Sequence, residues 1–278
     1  MRLKSTLDCL LVSMVLFCCH WQAAHAEALK IYVVPQTNPA QLHADWSPLL
    51  QRISKDTGIN LQLVVMPDIP KFEQALLQGK PDIALVNPYH AMMAKKAKSS
   101  QPVLIDVKAL TGILLVRADS PYRSIQDLQN KDIGFPAPNA FGAPLYLRAL
   151  LSDADVLYRE KYLNTHGNVY RNILNGSVAA GGGVNNTLNE ESDAIKSQLR
   201  ILYQTPPSAS HPLVAHPRVS AKLVQTIQSA LLALKKETSG ELLLKQIRMP
   251  EPVIANYESD YLPLEKLKIE KYVVLEKD

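Results

Sequence analysis

Apolar residues recur along this chain in short blocks, and the spacing within the blocks switches between two periods. Residues 29–34 form a β-branched apolar run ended by Pro35, which predicts a buried strand. Trp46, Leu49, Leu50 and Ile53 then return at helical intervals, and Gly58 stands where a helix would be capped. Residues 61–65 predict a second strand. Phe72, Ala75 and Leu76, closed by Gly79, repeat the helix-then-glycine pattern. Residues 83–86 predict a short third strand broken by Asn87-Pro88, and 89–98 a further helix.

The rhythm restarts with a strand at 113–116 and a short helix opened by Ser124. Residues 132–135 predict a strand that runs into a proline-rich turn, Pro136-Ala137-Pro138. A helix then begins near Gly142 and carries Leu145, Leu147, Leu150 and Leu151, and another covers about 168–174 before Gly176. Residues 178–183 predict a glycine-rich strand, and 201–203 a short one ended by Pro206-Pro207. Helical spacing returns over 220–236 and 240–247. Two βα series in succession define an α/β protein with two lobes around a cleft. Ligands of such sheets sit beyond the carboxyl ends of strands, where helix N-termini point. The candidate loops are therefore 35–39, 87–90, 136–143 and 165–168.

Composition narrows the compartment. Arg2 and Lys4, an apolar run over 10–19 and Ala24-His25-Ala26 form the three parts of a secretory signal peptide over 1–26. The run is shorter than the ~20 apolar residues that span a bilayer. All three cysteines (Cys9, Cys18, Cys19) lie inside the 1–26 leader, so a chain cleaved after Ala26 has no thiol, disulfide or cysteine nucleophile. A large exported chain without disulfides fits a bacterial periplasm. The formal net charge of +4 argues only weakly for anionic partners. No basic stripe suited to nucleic acid is present, and Lys95, Lys96 and Lys98 read as a solvated helix end.

Enzyme signatures are absent. The chain has no H-E-x-x-H, no G-x-S-x-G and no Walker loop, and Gly181-Gly182-Gly183 lacks dinucleotide-fingerprint spacing. His43, His90, His166, His211 and His216 show no metal-ligand spacing, so neither a metal nor a cofactor is expected. What remains is a set of neutral hydrogen-bonding groups at helix starts: Asn87 and Tyr89, Asn139 ahead of Gly142, and 165–168. Such turns offer unpaired N–H groups to an anion, and the same residues equally serve as plain helix caps.

Thr165-His166-Gly167-Asn168-Val169-Tyr170, followed by Ala179-Ala180-Gly181-Gly182-Gly183-Val184, resembles the second lobe of phosphate/phosphite/phosphonate-type ABC transporter substrate-binding proteins. Asp82-Ile83-Ala84 through Tyr89, Arg117-Ala118-Asp119-Ser120 through Leu128, and Ser210-His211-Pro212-Leu213 extend the resemblance along nearly the whole chain beyond the leader. It implies a periplasmic binding protein type II fold. Residues 27–112 and 213–278 would form the first lobe and 113–212 the second. It implies a monomeric solute-binding protein that captures a small anionic ligand for an ABC importer, or hands it to a membrane histidine kinase or cyclase. The family's oxyanion turn maps onto Asn139, Ala140, Phe141, Gly142 and Ala143, here without hydroxyls. Tyr89 and His166 match positions the family uses. Leu188 and His211 stand where aminophosphonate-binding members carry carboxylates.

Overall fold

The computed structural model describes residues 28–274. The leader and its cysteines lie outside that range. Chain order gives β1 (Leu29–Val33), α1 (Pro39–Thr57), β2 (Leu61–Val65), α2 (Ile69–Leu77), β3 (Ile83–Leu85), α3 (Pro88–Lys98) and β4 (Gln101–Asp106). Next come β5 (Gly112–Arg117), β6 (Asp132–Phe135), α4 (Tyr146–Asp153), β7 (Arg159–Tyr162), α5 (His166–Leu174), β8 (Ala180–Val184), two short helices (Asn185–Asn189, Asp193–Lys196) and β9 (Leu199–Gln204). The return comprises β10 (Leu213–Ala215), a helix over Ala221–Leu234, one over Thr238–Gln246, and β11 (Pro252–Ile254).

Two sheets result. One has the order β11-β4-β10-β3-β1-β2, the other β7-β6-β8-β5-β9. The first draws its strands from both ends of the described chain, and the second holds the stretch between. In the first sheet β1 pairs in parallel with β2 and β3, whereas β10 runs antiparallel between β3 and β4. The chain therefore crosses twice between sheets. The crossing segments are paired through reciprocal bonds between Leu110 and Ser208, both 2.9 Å. The Ala221–Leu234 and Thr238–Gln246 helices pack on α1, covering the first sheet with Trp46, Leu49, Ile53, Leu231 and Leu244 in one buried cluster.

Several starts lie earlier than the periodicity placed them. Helix α1 begins at Pro39 because Asn38 caps it, accepting from the Gln41 N–H at 2.9 Å, and proline suits a first helical position. Helix α5 begins at His166, not Asn168: the Thr165 hydroxyl accepts from the Asn168 N–H and so moves the cap upstream. Strands β4 and β7 carry no sequence signal. Pro102 argues against a strand, and β4 tolerates it beside a register shift opposite β10. Strand β7 is an exposed polar edge held by Arg159 and Lys161 against Asp132.

Strand β8 is buried along its whole length, although it offers three glycines and almost no side chain. Its glycines let neighbours approach. A Cβ on Gly182 would lie 2.5 Å from the Ala143 carbonyl oxygen and 2.7 Å from the Phe135 ring. Gly182→Ala should therefore lower stability by about 1–3 kcal/mol, the usual range for overpacking a core. Urea denaturation of the variant checks this, and an unchanged midpoint would mean the strand shifts freely.

Candidate functional site

The site forms where the carboxyl ends of first-sheet strands meet the helix starts of the second. At α3, Asn87 caps the helix: its Oδ1 accepts from the His90 N–H at 2.8 Å, and its Nδ2 donates across the cleft to the Asn139 carbonyl at 3.3 Å. After β6, residues Phe141–Leu145 form a wide turn in which the Tyr146 N–H reaches back to the Phe141 carbonyl, and α4 continues from it. The N–H groups of Phe141, Gly142 and Ala143 open this helical stretch and have no intrahelical acceptor. Pro144 supplies none. These three N–H groups form the positive end of the helix dipole.

A cavity of 10 Å³ lies against this turn. Ala140, Phe141, Gly142 and Ala143 form one wall, with Val34, Gln36, Ile69 and Asn87 opposite. His166 and His211 complete it. Six of the eight residues expected from sequence are thus brought together. The other two are placed elsewhere. Asn139 is buried, but its side chain is fully engaged: Nδ2 donates to Glu73 at 2.8 Å and to the Val274 carbonyl at 2.9 Å, and Oδ1 accepts from the Val274 N–H. Residues near the C-terminus therefore reach the second lobe as well as the first. Tyr89, at the second position of α3, is buried in the apolar cluster that contains Ala140 and Phe141, and it is not among the residues lining this cavity. Burial, with Glu73 nearby, pushes its phenol pKa upward, so it remains protonated.

The two histidines are held neutral. His166 is 2% exposed. Burial, reinforced by Arg248, pushes its pKa down to about 3. Its Nδ1 is buried without a partner among the described residues. His211 is pushed the same way, down to about 3, by desolvation, then by His166, Arg248 and His90. Its Nε2 meets the Gln36 amide nitrogen at 3.1 Å, which places its proton on Nδ1 when that amide donates.

Beyond Gln36 and His166 the cleft widens into a vestibule of 710 Å³. It runs between the N-terminus of α1 and the N-terminus of α5. Arg248, just past the Thr238–Gln246 helix and in the left-handed region at φ 62°, forks onto both carboxylate oxygens of Glu190 in the second lobe. Arg171 pairs with Glu191 at 3.5 Å. Gln36 and Arg248 were missed from sequence. Gln36 lies in the 35–39 loop with no pattern to single it out, and Arg248 follows a helix end with no glycine to flag the turn. Among the described residues no cluster of metal-ligating side chains occurs, and no helix is long and apolar enough to cross a membrane.

The fold and the interlobe cleft define a type II periplasmic binding protein. The family model for the periplasmic substrate-binding protein of phosphonate ABC transporters matches residues 31–261, and the chain belongs to that family. It is 24% identical over 273 residues to the phosphonates-binding periplasmic protein of Escherichia coli, covering 89% of this chain and 79% of the relative. It is 22% identical over 226 residues to the phosphate-import protein PhnD of Mycolicibacterium smegmatis, covering 73% and 70%. The structure of PhnD1 from Prochlorococcus marinus, solved with methylphosphonate, superposes with a TM-score of 0.79 at 15% identity, covering 89% of this chain and 99% of that one.

The neutral His166 has a consequence for acid stability. Its folded pKa of about 3 lies below the ~6.5 of an unfolded chain, so the unfolded state binds the proton first. The contribution is complete above about pH 6.5 and is lost as pH falls from there toward 3. Denaturation midpoints at pH 7 and pH 5 should differ less in His166→Gln than in the parent. Equal pH slopes would contradict a buried neutral imidazole at this position.

Proposed function

We propose that this chain captures a small phosphorus oxyanion of the phosphonate class between its lobes and delivers it to the permease of an ABC importer, without transforming it. The observation that carries this reading is the wall formed by the 141–143 N–H groups and two neutral imidazoles, with no carboxylate among the residues lining the inner cavity. Oriented N–H groups bind an oxyanion without any change of protonation. A neutral imidazole adds a donor or an acceptor, which suits a ligand bearing both P–O⁻ and P–OH. The relatives' names, a phosphonates-binding protein and a phosphate importer, support the same ligand class.

A cavity of 10 Å³ holds little more than one water, so the ligand enters a more open form and the lobes close on it. Gly142 brings the backbone close to the ligand. Tyr89 contributes by packing the apolar floor beneath Phe141. His211 and Gln36 act as one hydrogen-bonded unit. Export to the periplasm and a monomeric state belong to this reading.

The test is calorimetric titration with methylphosphonate, phosphite and phosphate. At least one should bind, and His166→Ala should weaken it by about 1–3 kcal/mol, the range for a hydrogen bond to a charged group. Absence of binding by all three, or equal affinity in the variant, would overturn the assignment.

A further inference from the structure

Besides its two crossings, the chain makes a further connection between the lobes near its C-terminus. Past β11 it forms a short helix (Tyr257–Asp260) and two 3₁₀ turns (Leu262–Leu267, Ile269–Tyr272), and within the described residues it reaches Val274. The start of this segment is fixed at a crossing: Tyr261 is fully buried, and its hydroxyl donates to the Ser210 carbonyl at 2.7 Å. Its middle is held on the first lobe, where Lys96 of α3 lies 3.3 Å from Glu265 and 3.6 Å from Glu270. Its far end is on the second lobe. The Ile269–Tyr272 turn packs on α4. Val274 meets Asn139 through two bonds of 2.9 Å, its N–H donating to Oδ1 and its carbonyl accepting from Nδ2.

This contact suits a joint that opens and reforms. A side-chain amide offers one acceptor and one donor to a peptide, so Asn139 holds Val274 as a strand neighbour would. Val274 is 42% exposed, so water can take over its two groups on release. The apolar part of the contact spans both lobes. Ile269 is fully buried, with Tyr272 and Val273 beside it, in a cluster that contains Phe72, Tyr89 and Met92 of the first lobe and Ala140, Phe141 and Leu145 of the second. Parting the lobes on this side must free Val274 from Asn139 and divide that cluster, which exposes apolar surface on both.

We infer that residues 261–274 form a strap that biases the ligand-free protein toward its closed form, with Asn139 as the positioning residue that receives it on the second lobe. The strap belongs to the first lobe by its anchors and to the second by its end, so all its contacts are made only when the lobes are together. A bias of this kind raises affinity in proportion to the fraction of molecules already closed. Asn139 also directly precedes the residues that wall the inner cavity, so the strap is tied to the binding site itself. The effect on opening is independent of what the cleft binds, whereas the effect on affinity rests on the phosphonate reading above.

The experiment measures lobe separation and affinity on the same proteins. The chain from residue 27 onward has no cysteine, so two introduced ones can carry spin labels alone. Ala44→Cys and Asn189→Cys place one exposed label on each lobe. The distance between them is read by double electron–electron resonance, without ligand and with saturating methylphosphonate. Val274→Pro removes the N–H that Asn139 accepts, and Val273 already has the extended backbone, φ −69° and ψ 130°, that precedes a proline. Deleting 269–278 removes the whole far end. Without ligand, both variants should shift to longer distances than the parent, the deletion further, and methylphosphonate should restore the parent's bound distance. Calorimetric affinity should fall by about threefold in Val274→Pro and about tenfold in the deletion. Unchanged ligand-free distances in both variants would overturn the strap. Longer distances with parental affinity would overturn it too, because a bias toward the closed form must register in both. Should the deletion fail to fold, Val274→Pro, at an exposed residue, decides alone. If methylphosphonate binds neither parent nor variant, the phosphonate reading fails and the ligand-free distances still decide the strap.

Discussion

The anion turn depends on an approach of backbone to backbone that admits no side chain. A Cβ on Gly112 would lie 2.3 Å from the Gly142 carbonyl oxygen, and one on Gly142 would lie 2.9 Å from Val184. Glycine at both positions seats the 141–145 turn directly on β5 and β8. Gly112 also opens the second sheet beside the crossing, where its N–H donates to the Thr205 hydroxyl of the returning segment at 2.9 Å. The N–H groups offered to a ligand are thus fixed to the same backbone that links the lobes. A donor held this way needs no reordering when the ligand arrives.

Burial then sets the character of the chamber. With Gly142 in contact with β5 and the apolar cluster beneath Phe141 closed by Tyr89, His166 and His211 sit in a poorly solvated space beside Arg248. Desolvation and a nearby cation act in the same direction on an imidazole, so both rings are uncharged. On the proposed reading, selectivity for an anion comes from oriented dipoles and hydrogen bonds, since no positive side chain is among the residues lining the inner cavity.

Much of this was legible in the sequence, and the remainder has physical reasons. The alternating periods locate both βα series, and the Gly181-Gly182-Gly183 run and the turn at Gly142, which the fold brings together, both stand out in the sequence. Period counting worked where one face of an element is buried. It failed at β7, whose residues are all exposed, and at β4, where Pro102 masks a strand stabilised by its partners. Asn139 was read as a ligand group because its type and place fit one. Only the tertiary structure shows Glu73 and Val274 occupying it. Arg248 reaches the cleft through a left-handed backbone turn that arginine rarely adopts, and no local pattern announces it.

Two of the polar ties between the lobes differ in what they cost to break. The Asn139 node is buried, and parting it would strand the Glu73 carboxylate, which is 6% exposed, with only His90 at 3.6 Å to answer it. An uncompensated buried charge costs several kcal/mol. The Arg248–Glu190 fork is partly solvated, with Glu190 44% exposed at its side chain, so water replaces much of what is lost on separation. Bidentate geometry gives that fork direction more than strength. The lobes accordingly part with less cost on the vestibule side, while the Asn139 side holds the 141–145 turn in register with the first lobe.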